Sequence, residues 1–140
     1  MHVLVPVDGS EPADAALEHV LGRFEGARIT ALHVLNPVDG ATAWGPGSAD
    51  DWRSTAEARA EVVLGEASER AEAADRTIET DSVVGRPARA IVDYASDHGV
   101  DHVVIGSHGR DGITRVLLGS VAETVVRRSP VPVTVVRKRP

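Results

Sequence analysis

Apolar residues along the chain recur at two spacings, and stretches of one alternate with stretches of the other. Val3, Leu4, Val5 and Val7 form a short β-rich run that stops at Asp8-Gly9-Ser10, the pattern of a buried strand entering a turn. Beyond it, Ala13, Leu17, Val20, Leu21 and Phe24 fall on one helical face, with Ser10 placed to cap the helix, Pro12 in its first turn and Gly26 to stop it. Arg28 to Leu35 (RITALHVL) reads as a second strand closed by Asn36-Pro37. Residues 36–50 follow neither spacing and read as a loop around Trp44. From Asp51 to Arg76, the positions Trp52, Ala56, Ala60, Val63, Leu64, Ala67, Ala71 and Ala74 step by three or four with Glu and Arg between them. They predict a long helix packed on one side, with Gly65 in its middle. Ile78 to Val84 makes a third strand. Pro87 opens a helix whose buried side is Ala88, Ile91, Val92 and Ala95, ended by Gly99. Val100 to Ile105 is a fourth strand, and a glycine-rich turn leads to a short helix over Val121 to Arg128 and a fifth strand from Val131 to Arg137.

The order β-α-β-α-β-α-β-α-β, with strands apolar enough to be covered on both faces, predicts an α/β fold: a doubly wound, five-stranded parallel sheet in three α/β/α layers. Parallel neighbours need helical crossovers, and these are right-handed. Residues 1–140 are expected to form one domain, with no internal repeat or low-complexity tract. Ligands of such sheets bind beyond the carboxyl ends of the strands, where the strand order reverses. That rule points to Asp8, Leu35 and Gly106.

Composition narrows the chemistry. The 140 residues include 42% hydrophobic ones and no cysteine, which fits one soluble domain and removes disulfides, thiolate metal sites and thiol nucleophiles. No apolar run approaches the ~18 residues of a membrane span, and Met1 to Asp8 lacks the charged start and long apolar stretch of a signal peptide. A cytoplasmic protein without membrane contact is expected. The net charge of −6 is uneven: residues 127–140 hold five basic groups and no acidic one. The remaining body is strongly acidic and repels a phosphate backbone, so nucleic acid is not an expected partner. His2, His19, His33, His98 and His102 show no metal-ligand spacing, and no metal site is expected.

The most informative stretch runs from Gly106 to Ser120, GSHGRDGITRVLLGS. It leaves a buried strand and enters a helix. Glycines at 106, 109 and 112 permit positive φ and let main-chain N–H groups approach a ligand, as a phosphate cradle requires; the same glycines also suit tight turns alone. Ser120-Val121-Ala122-Glu123 reads as a capping box, which sets Gly119-Ser120 at a helix N-terminus where an anion is favoured. No lysine precedes Ser120, so this is not a P-loop, and G-x-G-x-x-G is absent as well.

Gly106-x-x-Gly109 followed by nine residues and Gly119-Ser120 is a different phosphate signature, and with it the chain resembles the universal stress protein (UspA-like) family. The resemblance extends to Pro6-Val7-Asp8-Gly9-Ser10, to Leu32-His33-Val34 and to the tail Ser129 to Arg137. It implies a Rossmann-like fold of the adenine nucleotide alpha hydrolase type, strand order 3-2-1-4-5, and membership of the ATP-binding branch that carries the G-2x-G-9x-G-[S/T] motif. Position by position, it implies that Pro6, Val7 and Asp8 face the ribose and adenine and that the main chain of Val34 contacts the base. Ile105, Gly106, His108 and Gly109 would line the ribose and first phosphates with Arg110 nearby, and Gly119, Ser120 and Val121 would hold the outer phosphates. ATP is the implied ligand, with Mg²⁺ carried by its phosphates, and a homodimer through Val131–Val136 is the implied assembly.

Three functions follow as expectations. One is a nucleotide-dependent regulator or sensor in the stress response, a binding module rather than a fast enzyme. Another is a slow ATPase or adenylate-forming enzyme using the same pocket, although no lysine or paired carboxylates accompany the glycine loop. The last is a dimeric scaffold without nucleotide. Asp8 could equally cap the first helix together with Ser10, and Arg127-Arg128 and Arg137-Lys138-Arg139 suit helix and chain ends as well as an acidic partner.

Overall fold

The computed structural model describes residues 1–37, 49–108 and 118–137. Within them, strands β1 (His2–Pro6), β2 (Arg28–Leu35), β3 (Glu79–Val84), β4 (His102–Gly106) and β5 (Val133–Val136) alternate with helices α1 (Glu11–Arg23), α2 (Ala49–Ala73), α3 (Pro87–Asp97) and α4 (Ser120–Arg128). The strands form one parallel sheet in the order β3-β2-β1-β4-β5. The α/β architecture and the strand order 3-2-1-4-5 are those expected.

Alternate residues of each central strand enter different cores, because side chains leave a strand on opposite faces. Val3 and Val5 of β1, Ile29 and Ala31 of β2 and Val104 of β4 pack against Ala16, Leu17 and Val20 of α1 and Val63, Ala67 and Ala71 of α2. Leu4, Leu32, Val103 and Ile105 point the other way, onto Ile91, Tyr94 and Ala95 of α3 and Ala122 and Val125 of α4. The sheet is thus the middle of three layers, and its order reverses between β1 and β4.

Several boundaries and faces differ from expectation. The strand β3 (ETDSVV) is largely exposed rather than covered on both faces, because it stands at a sheet edge; polar side chains there also discourage pairing with another chain. Only His102–Gly106 and Val133–Val136 pair as β4 and β5, so Val100-Asp101 and Val131-Pro132 are connections. The long helix starts at Ala49, inside the expected loop, and ends at Ala73. Arg76, expected as its last residue, lies beyond that end and donates to the carbonyls of Leu21 and Phe24, both at 2.8 Å. Leu21 O is one of the carbonyls that the end of α1 leaves open, and Phe24 O also accepts the Ala27 N–H at 3.3 Å, so the chain leaving α2 helps to cap α1.

In α3, Ile91 and Ala95 are buried as expected, and Ala88 and Val92 are partly so. The unexpected buried residue is Tyr94, whose hydroxyl donates to Asp81 Oδ2 at 2.8 Å and whose ring stacks on His98 at 3.7 Å. Burial foremost, reinforced by the Asp81 carboxylate, pushes its phenol up to about 12. The folded chain therefore holds the proton more tightly than the unfolded chain, whose tyrosine titrates near ~10. The resulting stability is complete below pH ~10 and is lost as pH rises toward ~12. Tyr94 is the only tyrosine in the sequence, so phenolate absorbance reads it directly: its midpoint should lie well above that of the denatured chain, and Tyr94→Phe should flatten the alkaline fall in stability.

Candidate functional site

Two groups of expected residues meet at the carboxyl ends of the central strands. The first surrounds Asp8. Past the last β1–β2 register pair, Pro6 with Leu32, the Val7 N–H donates to Leu32 O at 2.8 Å. Gly9 then turns the chain with φ +83°, a conformation that costs an L side chain dearly. Ser10 caps α1 as expected, its Oγ accepting from the Ala13 N–H at 3.3 Å. Asp8 Oδ1 accepts the Ser10 N–H at 3.0 Å. One Asp8 carboxylate oxygen thus braces the turn ahead of α1, while the helix cap expected of Asp8 and Ser10 together comes from Ser10.

The second group is built around the end of β4. Ile105 is buried, and Ser107 ties three segments together: its N–H donates to Val136 O of β5 at 2.9 Å, its carbonyl accepts from Gly119 N–H at 2.7 Å, and its Oγ lies 3.0 Å from Nδ1 of the half-buried His108. Gly119 is pressed against His108, since a Cβ there would lie 2.9 Å from His108 Cβ and 3.0 Å from its Cα. Glycine is required by the close approach of two chain segments.

Two readings of this segment are corrected. Gly106 does not take positive φ; Gly9, Gly26 and Gly99 are the glycines that do among the described residues. Gly106 belongs to β4, and its missing side chain makes room for α1: an added Cβ would sit 2.6 Å from Pro12 C, 2.7 Å from Pro12 O and 2.8 Å from Ala13 N. Nor is Ser120 the helix cap. Gly119 is the N-cap of α4, with φ −66° and ψ 159°, and among the described residues no side chain caps the helix. Ser120 is its first residue, exposed, its carbonyl accepting from Thr124 Oγ1 at 2.9 Å.

The two helix N-termini nearest the β1–β4 seam thus differ. Side chains from Ser10 and Asp8 serve the start of α1, whereas among the described residues α4 begins at Ser120 and Val121 with no side-chain cap. Main-chain N–H groups at a helix start, with the positive end of the dipole, suit an anion. Gly106 in contact with Pro12-Ala13 links the two groups across the seam. Val34 stands one strand over, on β2 between β1 and β3. Gly109 and Arg110, and Trp44 with them, lie outside the described residues.

Sequence reasoning missed three contributors. Arg59 of α2 donates from Nη2 to Asp8 O at 3.3 Å and lies over the Gly9 turn beside Val63. His33, 6% exposed, meets Val7 O through Nδ1 at 2.9 Å. Ser107 is 3% exposed. The other histidines serve the fold: His2 meets Thr30 Oγ1 and His102 meets Thr134 Oγ1, each at 2.8 Å. Arg127 pairs with Glu123 one turn back in α4 at 2.8 Å. Among the described residues no cluster of three or more His, Asp or Glu is placed to hold a metal ion, and no helix is long and apolar enough to cross a membrane.

Residues 1–137 match the family model described as the universal stress protein family. The chain belongs to that family. Among curated members, the universal stress protein MJ0531 of Methanocaldococcus jannaschii is 33% identical over 144 residues, covering 97% of this chain and 81% of the relative. A solved structure of the MJ0577 protein, a universal stress protein of the same organism, superposes with a TM-score of 0.86 at 30% identity, covering 99% of this chain and 96% of the other. The structure of a universal stress protein in complex with cAMP aligns at 31% identity with a TM-score of 0.72, covering 97% and 96%. For a universal stress protein, the reversal between β1 and β4 is the place to seek a ligand, as for other doubly wound sheets.

Proposed function

We propose that this universal stress protein binds ATP at the β1–β4 seam and acts as a nucleotide-dependent regulator or sensor in the stress response, in the cytoplasm. The observation that carries the reading is the pairing of an acceptor with donors across that seam. On one bank Asp8 offers a carboxylate to ribose hydroxyls; on the other, the uncapped start of α4 offers main-chain N–H groups to phosphates. The relative in complex with cAMP, at 31% identity, supports an adenine nucleotide as the ligand class. In this reading Pro6, Val7, Asp8 and the Val34 main chain hold the ribose and base, Ile105, Gly106, His108 and Gly109 with Arg110 line the first phosphates, and Gly119, Ser120 and Val121 hold the outer ones. Mg²⁺ enters through the phosphates rather than through protein carboxylates.

The open edge of β5 supports the same proposal at the level of assembly. Val133–Val136 are half-buried and pair with β4 on one side; among the described residues no strand pairs with the other side, and a strand edge rich in valine suits a second copy of the chain.

Native mass spectrometry of freshly purified protein should show a dimer carrying adenine nucleotide. In equilibrium binding, Asp8→Asn keeps an oxygen for the Ser10 N–H and removes the charge, so it should weaken ATP about tenfold while preserving the fold. Gly119→Ala should also weaken ATP by forcing His108 away, with some loss of melting temperature. Undiminished ATP binding in both variants sinks the site assignment.

A further inference from the structure

We propose that His33 is a positioning residue that aims the Asp8 main chain at the ligand; the inference rests on the reading that Asp8 faces the ribose. His33 is more than nine-tenths buried, and Nδ1 lies 2.9 Å from Val7 O. A carbonyl only accepts, so Nδ1 carries the hydrogen. On the other side of the same residue, the Val7 N–H donates to Leu32 O at 2.8 Å. Both polar groups of Val7 are therefore drawn toward β2.

The orientation of the next peptide group follows. The described chain contains no cis peptide bond, and in a trans peptide the N–H points opposite to the preceding C=O. With Val7 C=O turned to β2, the Asp8 N–H is turned to the other neighbour of β1, which is β4. That is the side of the seam. The far end of Asp8 is held by Arg59 Nη2 on its carbonyl at 3.3 Å and by the Ser10 N–H on Oδ1 at 3.0 Å. Asp8 is thus braced by side chains or main chain of β2, α2 and its own turn, and His33 is the brace that sets the direction of the peptide entering it.

The chemistry of residue 33 fits this task better than filling space. An imidazole buried in a strand costs stability unless it is hydrogen-bonded, and an aliphatic residue would fill the same volume without that cost. His2, equally buried at the other end of the sheet, spends its ring on a side chain, Thr30. His33 spends its own on the main chain one residue before Asp8.

Asparagine places its amide N–H₂ about where Nδ1 lies, whereas glutamine reaches to the position of Nε2 and leucine offers no donor. His33→Asn should retain wild-type ATP affinity. His33→Gln and His33→Leu should bind ATP about tenfold more weakly. Their preference for ATP over the dideoxy analogue lacking both ribose hydroxyls should also shrink, because the Asp8 carboxylate no longer meets those hydroxyls. A merely structural histidine lowers melting temperature without changing that preference. Melting temperatures of all three variants identify the folded ones. NMR of the imidazole nitrogens supplies a readout independent of nucleotide, with the hydrogen of His33 expected on Nδ1. Wild-type affinity and unchanged ribose preference in folded His33→Gln, or a hydrogen found only on Nε2, overturns the inference. Absence of adenine-nucleotide binding by the wild-type chain overturns instead the reading on which it rests.

Discussion

Gly106→Ala should destabilise the protein by about 3 kcal/mol, near the upper end for overpacking a core. The added methyl would lie 2.6–2.8 Å from three main-chain atoms of Pro12 and Ala13, a distance at which no rotamer change helps because the obstacle is backbone. The first turn of α1 must lift off β4 and take with it the Ser10 cap and the Asp8 turn. Urea unfolding should show a lower midpoint at an unchanged slope. Gly65→Ala is the control. A Cβ at Gly65, in the middle of α2, meets nothing within 4 Å, so that substitution should stabilise the helix by up to ~1 kcal/mol. Similar losses for the two variants would show that close packing at Gly106 is not what the glycine provides.

Leu4→Ala should cost about 3 kcal/mol as well, within the range for emptying a buried leucine site. Leu4 is 0% exposed and lies in the central strand, in the cluster with Leu32, Ile91 and Val103. Strands on either side of β1 fix the backbone at this point, so the cavity cannot close by collapse. Val62→Ala, on the outer face of α2 at 60% exposure, should change stability by no more than ~0.5 kcal/mol. Chemical denaturation of the pair separates burial from the loss of an aliphatic group as such.

Much of this architecture was legible in the sequence because it is written locally. The run Val3-Leu4-Val5, the Ser10-x-Pro12 helix start and the β2 segment RITALHVL each combine a period with a boundary residue, and the structure reproduces them closely. Five strand segments joined by helices then admit few topologies. What escaped depends on residues far apart in sequence. Arg76 reaches carbonyls 52 and 55 residues away, and Arg59 reaches one 51 residues away. Nothing in the sequence around either arginine announces such a target. Gly106 and Gly119 stand out in the sequence, but both are also pressed against neighbouring chain, a demand that spacing alone does not separate from that of a ligand. Tyr94 could have been found, since it lies three residues after Ile91 on the same helical face. His33 lies in the Leu32-His33-Val34 segment, but its hydrogen-bond partner is a main-chain carbonyl, which leaves no mark in the side-chain pattern.

The seam between β1 and β4 has a kinetic side. Its register joins Val3 to His102 and Leu4 to Val103, and the His2 N–H reaches Asp101 across 99 residues, whereas β1 and β2 are joined over five register pairs much nearer in sequence. Closing so long a loop carries a larger entropic cost than forming the β1-α1-β2 unit, and contacts of that span slow folding. A ligand gripped from both banks would accordingly act as a late-forming clasp, slowing the separation of the two halves of the sheet as well as filling the crevice between them.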